Sequence, residues 1–291
     1  MDGNHMIPNE FNLWLTQDDR RPLVMGVLNV TPDSFSDGGR FAAVESAVAH
    51  AQKLAADGAD LIDIGGESTR PGSGRIDPQE QIRRILPVLE AAASRLPVVW
   101  SVDTRSSEVA SAAIDAGATI INDISAGRDD PGIFRLAADR RLPIILMHMQ
   151  GEPSTMQADP RYHNVIEEVK SFLLDRIKAA QSAGVNPTQI LLDPGIGFGK
   201  NINHNLTLIR EMEEFKGFGR PLVIGTSRKG FIGTISGEPQ PNQRLLGTAA
   251  TVAWSIANGA DIVRVHDVEP MIKVVRVIRA IQKGAAENPP K

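Results

Sequence analysis

Asp103, Asn122 and Asp193 each stand at or near the end of a short apolar run in a chain of 291 residues. A carboxylate facing a guanidine-like edge makes two parallel hydrogen bonds. The set can therefore bind a flat heterocycle that presents amine and ring N–H donors along one side. Lys229, in Ser-Arg-Lys-Gly just after another apolar run, can donate to a ring carbonyl or nitrogen on the other side. Arg70, Arg264 and His266 can form a cationic pocket for phosphate oxygens. Arg264 and His266 share a face, because strand side chains two apart point the same way. Asn29 offers a hard oxygen ligand to Mg2+, an ion often held by few protein groups plus substrate phosphates.

Each of these residues also has a plainer use. An Asp or Asn ahead of a helix can cap it, a lysine can be solvated, and a histidine by itself is more often structural. The Gly-rich segment 195–199 matches neither a Walker A loop nor the Gly-x-Gly-x-x-Gly dinucleotide fingerprint, and reads as a tight turn. The set argues beyond the plain uses. Polar groups at the exits of eight apolar runs are costly unless they have partners, and together they mark a ligand site. No Ser–His pair stands out and the chain has no cysteine, so no protein nucleophile is expected.

The elements that must position these residues repeat. Apolar, β-branched runs at 23–30, 59–64, 98–102, 119–124, 143–149, 189–192, 221–225 and 261–265 read as strands. Helical periods lie near 41–57, 78–95, 106–116, 131–140, 161–183, 203–214, 243–258 and 268–283. Gly58, Gly117, Gly184 and Gly259 close helices just before the next strand, where a left-handed C-cap is needed. Eight strand–helix units in succession predict an α/β fold, a single (β/α)8 TIM barrel. The runs are continuously apolar, as strands buried on both faces are. An open doubly wound sheet is the alternative. Residues 1–21 form an N-terminal extension, 22–284 the catalytic barrel, and 285–291 a tail. In such a barrel the strand C-termini form one face, where active sites are built.

The totals narrow the class. The chain is 42% hydrophobic with net charge -4, ample for a sizeable core, and it has no basic run for nucleic acid. No secretory leader or spanning segment is visible, so no membrane is expected. With no cysteine, a reducing, cytoplasmic compartment is compatible.

Several long motifs resemble the dihydropteroate synthase family. They are Asn29-Val-Thr-Pro-Asp-Ser-Phe-Ser-Asp-Gly-Gly39, Asp63-Ile-Gly-Gly-Glu-Ser-Thr-Arg-Pro-Gly72, Asp193-Pro-Gly-Ile-Gly-Phe-Gly-Lys200, Ser227-Arg-Lys-Gly230 and Arg264-Val-His266. The resemblance spans nearly the whole predicted barrel. It implies that Asp103, Asn122, Asp193 and Lys229 bind a pterin. It implies that Asn29, Arg70, Arg264 and His266 hold a diphosphate, with Mg2+ on Asn29. Phe35, Thr69, Pro71 and Ser227 would shape a 4-aminobenzoate site, and Asp37 would sit near the reacting methylene. Asp37, Arg70, Lys229 and Asp103 would carry the catalysis. The implied reaction joins a dihydropterin methyl diphosphate to 4-aminobenzoate in folate biosynthesis, in a homodimeric enzyme that sulfonamides target. Two other readings stand beside it. A methyltetrahydrofolate–corrinoid methyltransferase explains Asp103, Asn122 and Asp193 but not the Ser-Thr-Arg-Pro-Gly and Ser-Arg-Lys-Gly loops. A non-catalytic pterin-binding paralogue could lose those loops, yet Asn29, Asp37, Thr69, Arg70, Lys229 and His266 are all present.

Overall fold

Strands form where the apolar runs lie: β1 (Leu23–Asn29), β2 (Leu61–Gly65), β3 (Val99–Asp103), β4 (Ile120–Asp123), β5 (Ile144–Met147), β6 (Ile190–Asp193), β7 (Val223–Ile224) and β8 (Ile262–Val265). They belong to a computed structural model that describes residues 6–31, 39–68 and 72–285. All neighbours pair in parallel, in the order β6-β5-β4-β3-β2-β1-β8-β7. A single bridge from Leu192 to Leu222 joins β6 to the segment entering β7 and closes the ring. The expected (β/α)8 barrel is therefore what forms. The helices around it are α1 (Pro8–Trp14), α2 (Gly39–Ala56), α3 (Pro78–Ala92), α4 (Ser107–Asp115), α5 (Gly132–Arg140), α6 (Val165–Ser182), α7 (Ile202–Arg210), α8 (Gly230–Ser236), α9 (Leu245–Ala257) and α10 (Val268–Lys283).

Period-two alternation splits each strand between two apolar layers. Leu61, Val99, Ile120, Ile145, Leu191, Val223 and Ile262 form one cluster in the barrel interior. Their neighbours Ile62, Trp100, Ile121, Ile144, Leu192 and Val263 join the larger layer beneath the helices. Phe11 and Trp14 of α1 belong to the inner cluster, their rings stacked 5.4 Å apart. The helix α1 thus closes the barrel floor. Trp14 Nε1 donates to the Arg21 carbonyl, and Arg21 pairs with Asp60 at 2.6 Å.

The Gly joints behave as their position requires: Gly58, Gly117, Gly184 and Gly259 have φ between +98° and +112°. Helix bounds differ at three places. Asn164 caps α6 by accepting from the Ile166 and Glu167 amides, so that helix begins at Val165 rather than near 161. The period at 203–214 divides into α7 and a 3-10 segment, Met212–Phe218, stopped by Gly219 at φ +62°. The extra helix α8 falls in a stretch whose glycines and β-branched residues carry poor helix propensity. Among the described residues no helix is long and apolar enough to cross a membrane.

Candidate active site

At the C-terminal mouth of the barrel, residues of four strands meet in one hydrogen-bonded group. Arg264 of β8 donates from Nε to Asp63 of β2 at 2.7 Å and from Nη2 to Asp103 of β3 at 2.8 Å. Asn122 of β4 donates its amide to the same Asp63 oxygen at 2.9 Å. Asp63 is fully buried, and Asp103 and Asn122 are nearly so. β1 lies between β8 and β2, and β3 between β4 and β2, so these residues meet across the closed barrel's interior, into which their strands' inward-facing positions all point.

A second group comes from the turns after β6 and β7. Asp193 ends β6 and accepts from the Gly195 amide at 2.7 Å. Gly195 has φ +69°, and a Cβ there would stand 1.8 Å from the His148 carbonyl oxygen. Only glycine fits without displacing the chain. Gly195→Ala is expected to lower stability by about 2 kcal/mol or more, which urea unfolding measures. The turn after β7 is held by Arg228, itself at φ +58°. Its guanidinium donates to both oxygens of Asp267, and Arg244 donates to its carbonyl. Lys229 follows as the residue before α8, with Nζ 4.2 Å from the centre of the Phe198 ring. Phe198 is fixed from behind. Buried Lys200 donates to its carbonyl at 3.0 Å and meets His148 Nδ1 at 2.9 Å.

Burial sets the electrostatics. It pushes Asp103 up to about 7, opposed by Arg264 and helped by Asp63. It raises Asp193 to about 6 against the Gly195 hydrogen bond and Lys229. It lowers Lys229 to about 8, with Arg264 acting the same way and Asp193 against. Carboxyls near neutrality beside a lysine near neutrality are the pattern of a functional cleft. His266 is pushed down to about 3 by burial and by Arg264, so it enters the site as a neutral ring rather than a cation.

The family profile described as pterin binding enzyme matches residues 25–266, the span from β1 to the end of β8. A dihydropteroate synthase of Synechocystis is 47% identical over 262 residues, covering 90% of this chain and 91% of that protein. The chain belongs to the dihydropteroate synthase family of pterin-binding enzymes. A family structure from Xanthomonas albilineans, solved with 4-aminobenzoic acid, superposes with a TM-score of 0.85 at 45% identity, covering 90% of this chain and 93% of the other. A second from the same organism, in complex with 7,8-dihydropteroate, gives 0.82 at 43% identity, covering 90% and 94%.

The synthase-like residues expected from sequence divide by location. Asp103, Asn122 and Arg264 are bonded into one group. Asp193 and Lys229 face each other closely enough to shift one another's charge. Asn29 ends β1. Phe35, Asp37, Thr69, Arg70 and Pro71 lie outside the described residues. Two expectations are corrected. His266 adds no charge to the phosphate pocket, because burial and Arg264 hold its ring neutral. Ser227 and His266 do form a pair, Oγ to Nδ1 at 3.0 Å, where none was expected. The His266 backbone amide also donates to that hydroxyl at 3.2 Å. An imidazole held near 3 is too weak a base to draw a serine proton at neutral pH. The pair therefore orients the turn after β7 and supplies no nucleophile. Asp63, Phe198, Lys200 and the Arg228–Asp267 clamp were given no part by the sequence. Their signal was a charged or aromatic residue inside a family motif or, for Asp267, just after one, without a partner visible nearby in the chain.

Proposed function

We propose that this protein condenses a (7,8-dihydropterin-6-yl)methyl diphosphate with 4-aminobenzoate to give 7,8-dihydropteroate and diphosphate. The observation that carries this reading is the meeting of Asp103, Asn122 and Arg264 in one bonded group, with Asp193 and Lys229 at the same mouth. Asp103, Asn122 and Asp193 accept from and donate to the pterin edge, and Lys229 donates to its far side. Arg264, His266 and Arg70 take the diphosphate oxygens. Phe35, Thr69, Pro71 and Ser227 shape the aminobenzoate site, with Asp37 near the methylene. Asn29 offers an amide oxygen at the exit of β1, which suits a hard ion such as Mg2+. Among the described residues no group of three or more His, Asp or Glu could hold a metal ion by itself. Diphosphate oxygens and water would complete its shell. When bound, Mg2+ supplies charge neutralisation on the leaving diphosphate.

The substitution is dissociative in this reading. The bond from methylene to diphosphate oxygen breaks, and both electrons leave with the diphosphate. The dihydropterin delocalises the methylene cation, and Asp103 and Asp193 stabilise it electrostatically. The neutral arylamine nitrogen then bonds to the methylene and loses a proton to solvent or diphosphate. No general base of high pKa is required. Turnover that needs Mg2+ is the expected result when both substrates are supplied. A folded protein that binds the pterin and forms no product would overturn the synthase and favour the binding-only paralogue. Retention at a stereolabelled methylene, with a trapped enzyme adduct, would overturn the dissociative step.

The pH profile follows from three groups. Asp103 acts as a carboxylate, so binding first weakens as pH falls through about 7. Asp193 accepts hydrogen bonds as a carboxylate, so binding weakens further as pH falls through about 6. Lys229 acts as an ammonium, so binding weakens as pH rises through about 8. A bell-shaped kcat/KM for the diphosphate substrate is expected between those limits. Lys229→Arg should move the basic limb upward; a flat profile from pH 5.5 to 9 would contradict these roles.

A homodimer fits the outer face. Ile235 of α8 and Leu246 and Trp254 of α9 are 60%, 84% and 52% exposed. A groove of about 610 Å³ between α7 and α9 is lined by Leu206, Ile209, Ala250 and Trp254. An apolar face of this kind suits burial against a second copy. The absence of cysteine agrees with a cytoplasmic location.

A further inference from the structure

The group that joins Asn122 to Arg264 is Asp63, and no step of the proposed reaction uses it. It sits one alternation below the mouth, fully buried, on the inward face of β2. One of its oxygens, Oδ2, receives both the Asn122 amide at 2.9 Å and Arg264 Nε at 2.7 Å. Its other oxygen has no hydrogen-bond partner, and neither does Ser101 Oγ, which is in register with it on β3.

We infer that Asp63 is a positioning residue for pterin binding: its charge holds Arg264 between two carboxylates and so leaves Asp103 available to the pterin. The argument is one of competition. Arg264 also donates to Asp103 at 2.8 Å. Charge-assisted bonds of this sort are roughly twice as strong as neutral ones. With only one anion beside it, the guanidinium would settle on Asp103 and occupy the oxygens meant for the ligand. With Asp63 on its Nε side, the cation is shared. The same Asp63 oxygen fixes the Asn122 amide, so its carbonyl oxygen faces away from Asp63.

The unpartnered Asp63 oxygen makes the test clean. In Asp63→Asn the amide oxygen can keep both bonds, from Asn122 and from Arg264. The new NH2 takes the place of the oxygen that no donor opposes, beside the Ser101 hydroxyl. Shape and hydrogen bonding persist, and only the charge is lost. The inference rests on the pterin site proposed above, so the primary readout is binding rather than turnover. Affinity for 6-hydroxymethylpterin is measured by calorimetry on the wild type and on Asp63→Asn, with thermal unfolding alongside. Loss of one charge-assisted partner predicts affinity weaker by roughly tenfold. The Tm should stay within a few degrees, and KM for 4-aminobenzoate should stay within about twofold. Unchanged pterin affinity would sink the inference. So would a parallel rise in both substrates' constants with a fallen Tm, since that is the mark of a purely structural residue. A wild type that binds the pterin and turns nothing over would refute the synthase reading and leave this comparison intact.

Discussion

Lys229→Ala is expected to lower kcat/KM by about a hundredfold while leaving the fold intact. The loss corresponds to a charge-assisted hydrogen bond of about 3 kcal/mol. Stability should not follow, for a physical reason. Burial, with Arg264 acting the same way, holds the Lys229 ammonium below its ordinary pKa by more than the charges of Asp193 and Asp103 offset. Folding therefore works against this charge, and removing it relieves a cost. A Tm equal to or slightly above that of the wild type, with activity lost, would identify a residue kept for binding rather than for stability. Equal losses of activity and Tm would contradict that assignment.

Arg264→Met should unfold far more readily, by about 3–5 kcal/mol, because it strands two buried carboxylates. Met keeps the apolar stem and vacates the guanidinium's space between the two acids, which adds a smaller packing loss. The deficit should depend on pH in a definite direction. Asp103 already titrates at about 7, raised by burial and held down in part by Arg264. Without the guanidinium it rises further and takes up a proton more readily. A carboxyl whose folded pKa lies above its unfolded value favours folding as pH falls. The variant should therefore recover part of its deficit at pH 6 relative to pH 8. Denaturant unfolding at both values checks this; a deficit that grows on acidification would mean that Asp63 and Asp103 are not the stranded groups.

The barrel was readable from its parts because each strand states its own environment. A run such as 119–124 needs both faces buried, and Gly117 just ahead of it needs a helix end. Local chemistry decides both. The helix α8 was not readable, since Gly230 and Gly233 lower its propensity and packing supplies the rest. Site residues followed the same divide. Asp103, Asn122, Asp193 and Lys229 announce themselves at strand ends. Asp63 does not, because its partner Arg264 lies 201 residues away. Nor does the neutrality of His266, which depends on the guanidinium beside it and on the depth of the ring. The Ser227–His266 contact likewise exists only once β7 and β8 lie side by side.

The placement of Arg264 on the last strand has a consequence for how the chain comes to be folded. A ribosome releases β2 and β3 long before β8, and with them two carboxylates destined for a dry interior. Until β8 arrives their hydrogen-bonded cation is missing, and β1 has an open edge where Leu23 to Gly26 will later pair with β8. A partial barrel would have to bury those acids unpaired, which is expensive. Early closure is thereby disfavoured, and long-range pairing of this kind is slow in any case. The same guanidinium that joins Asp63 to Asp103 acts as a completion latch. The barrel can dry its interior only when the final strand has brought the cation home.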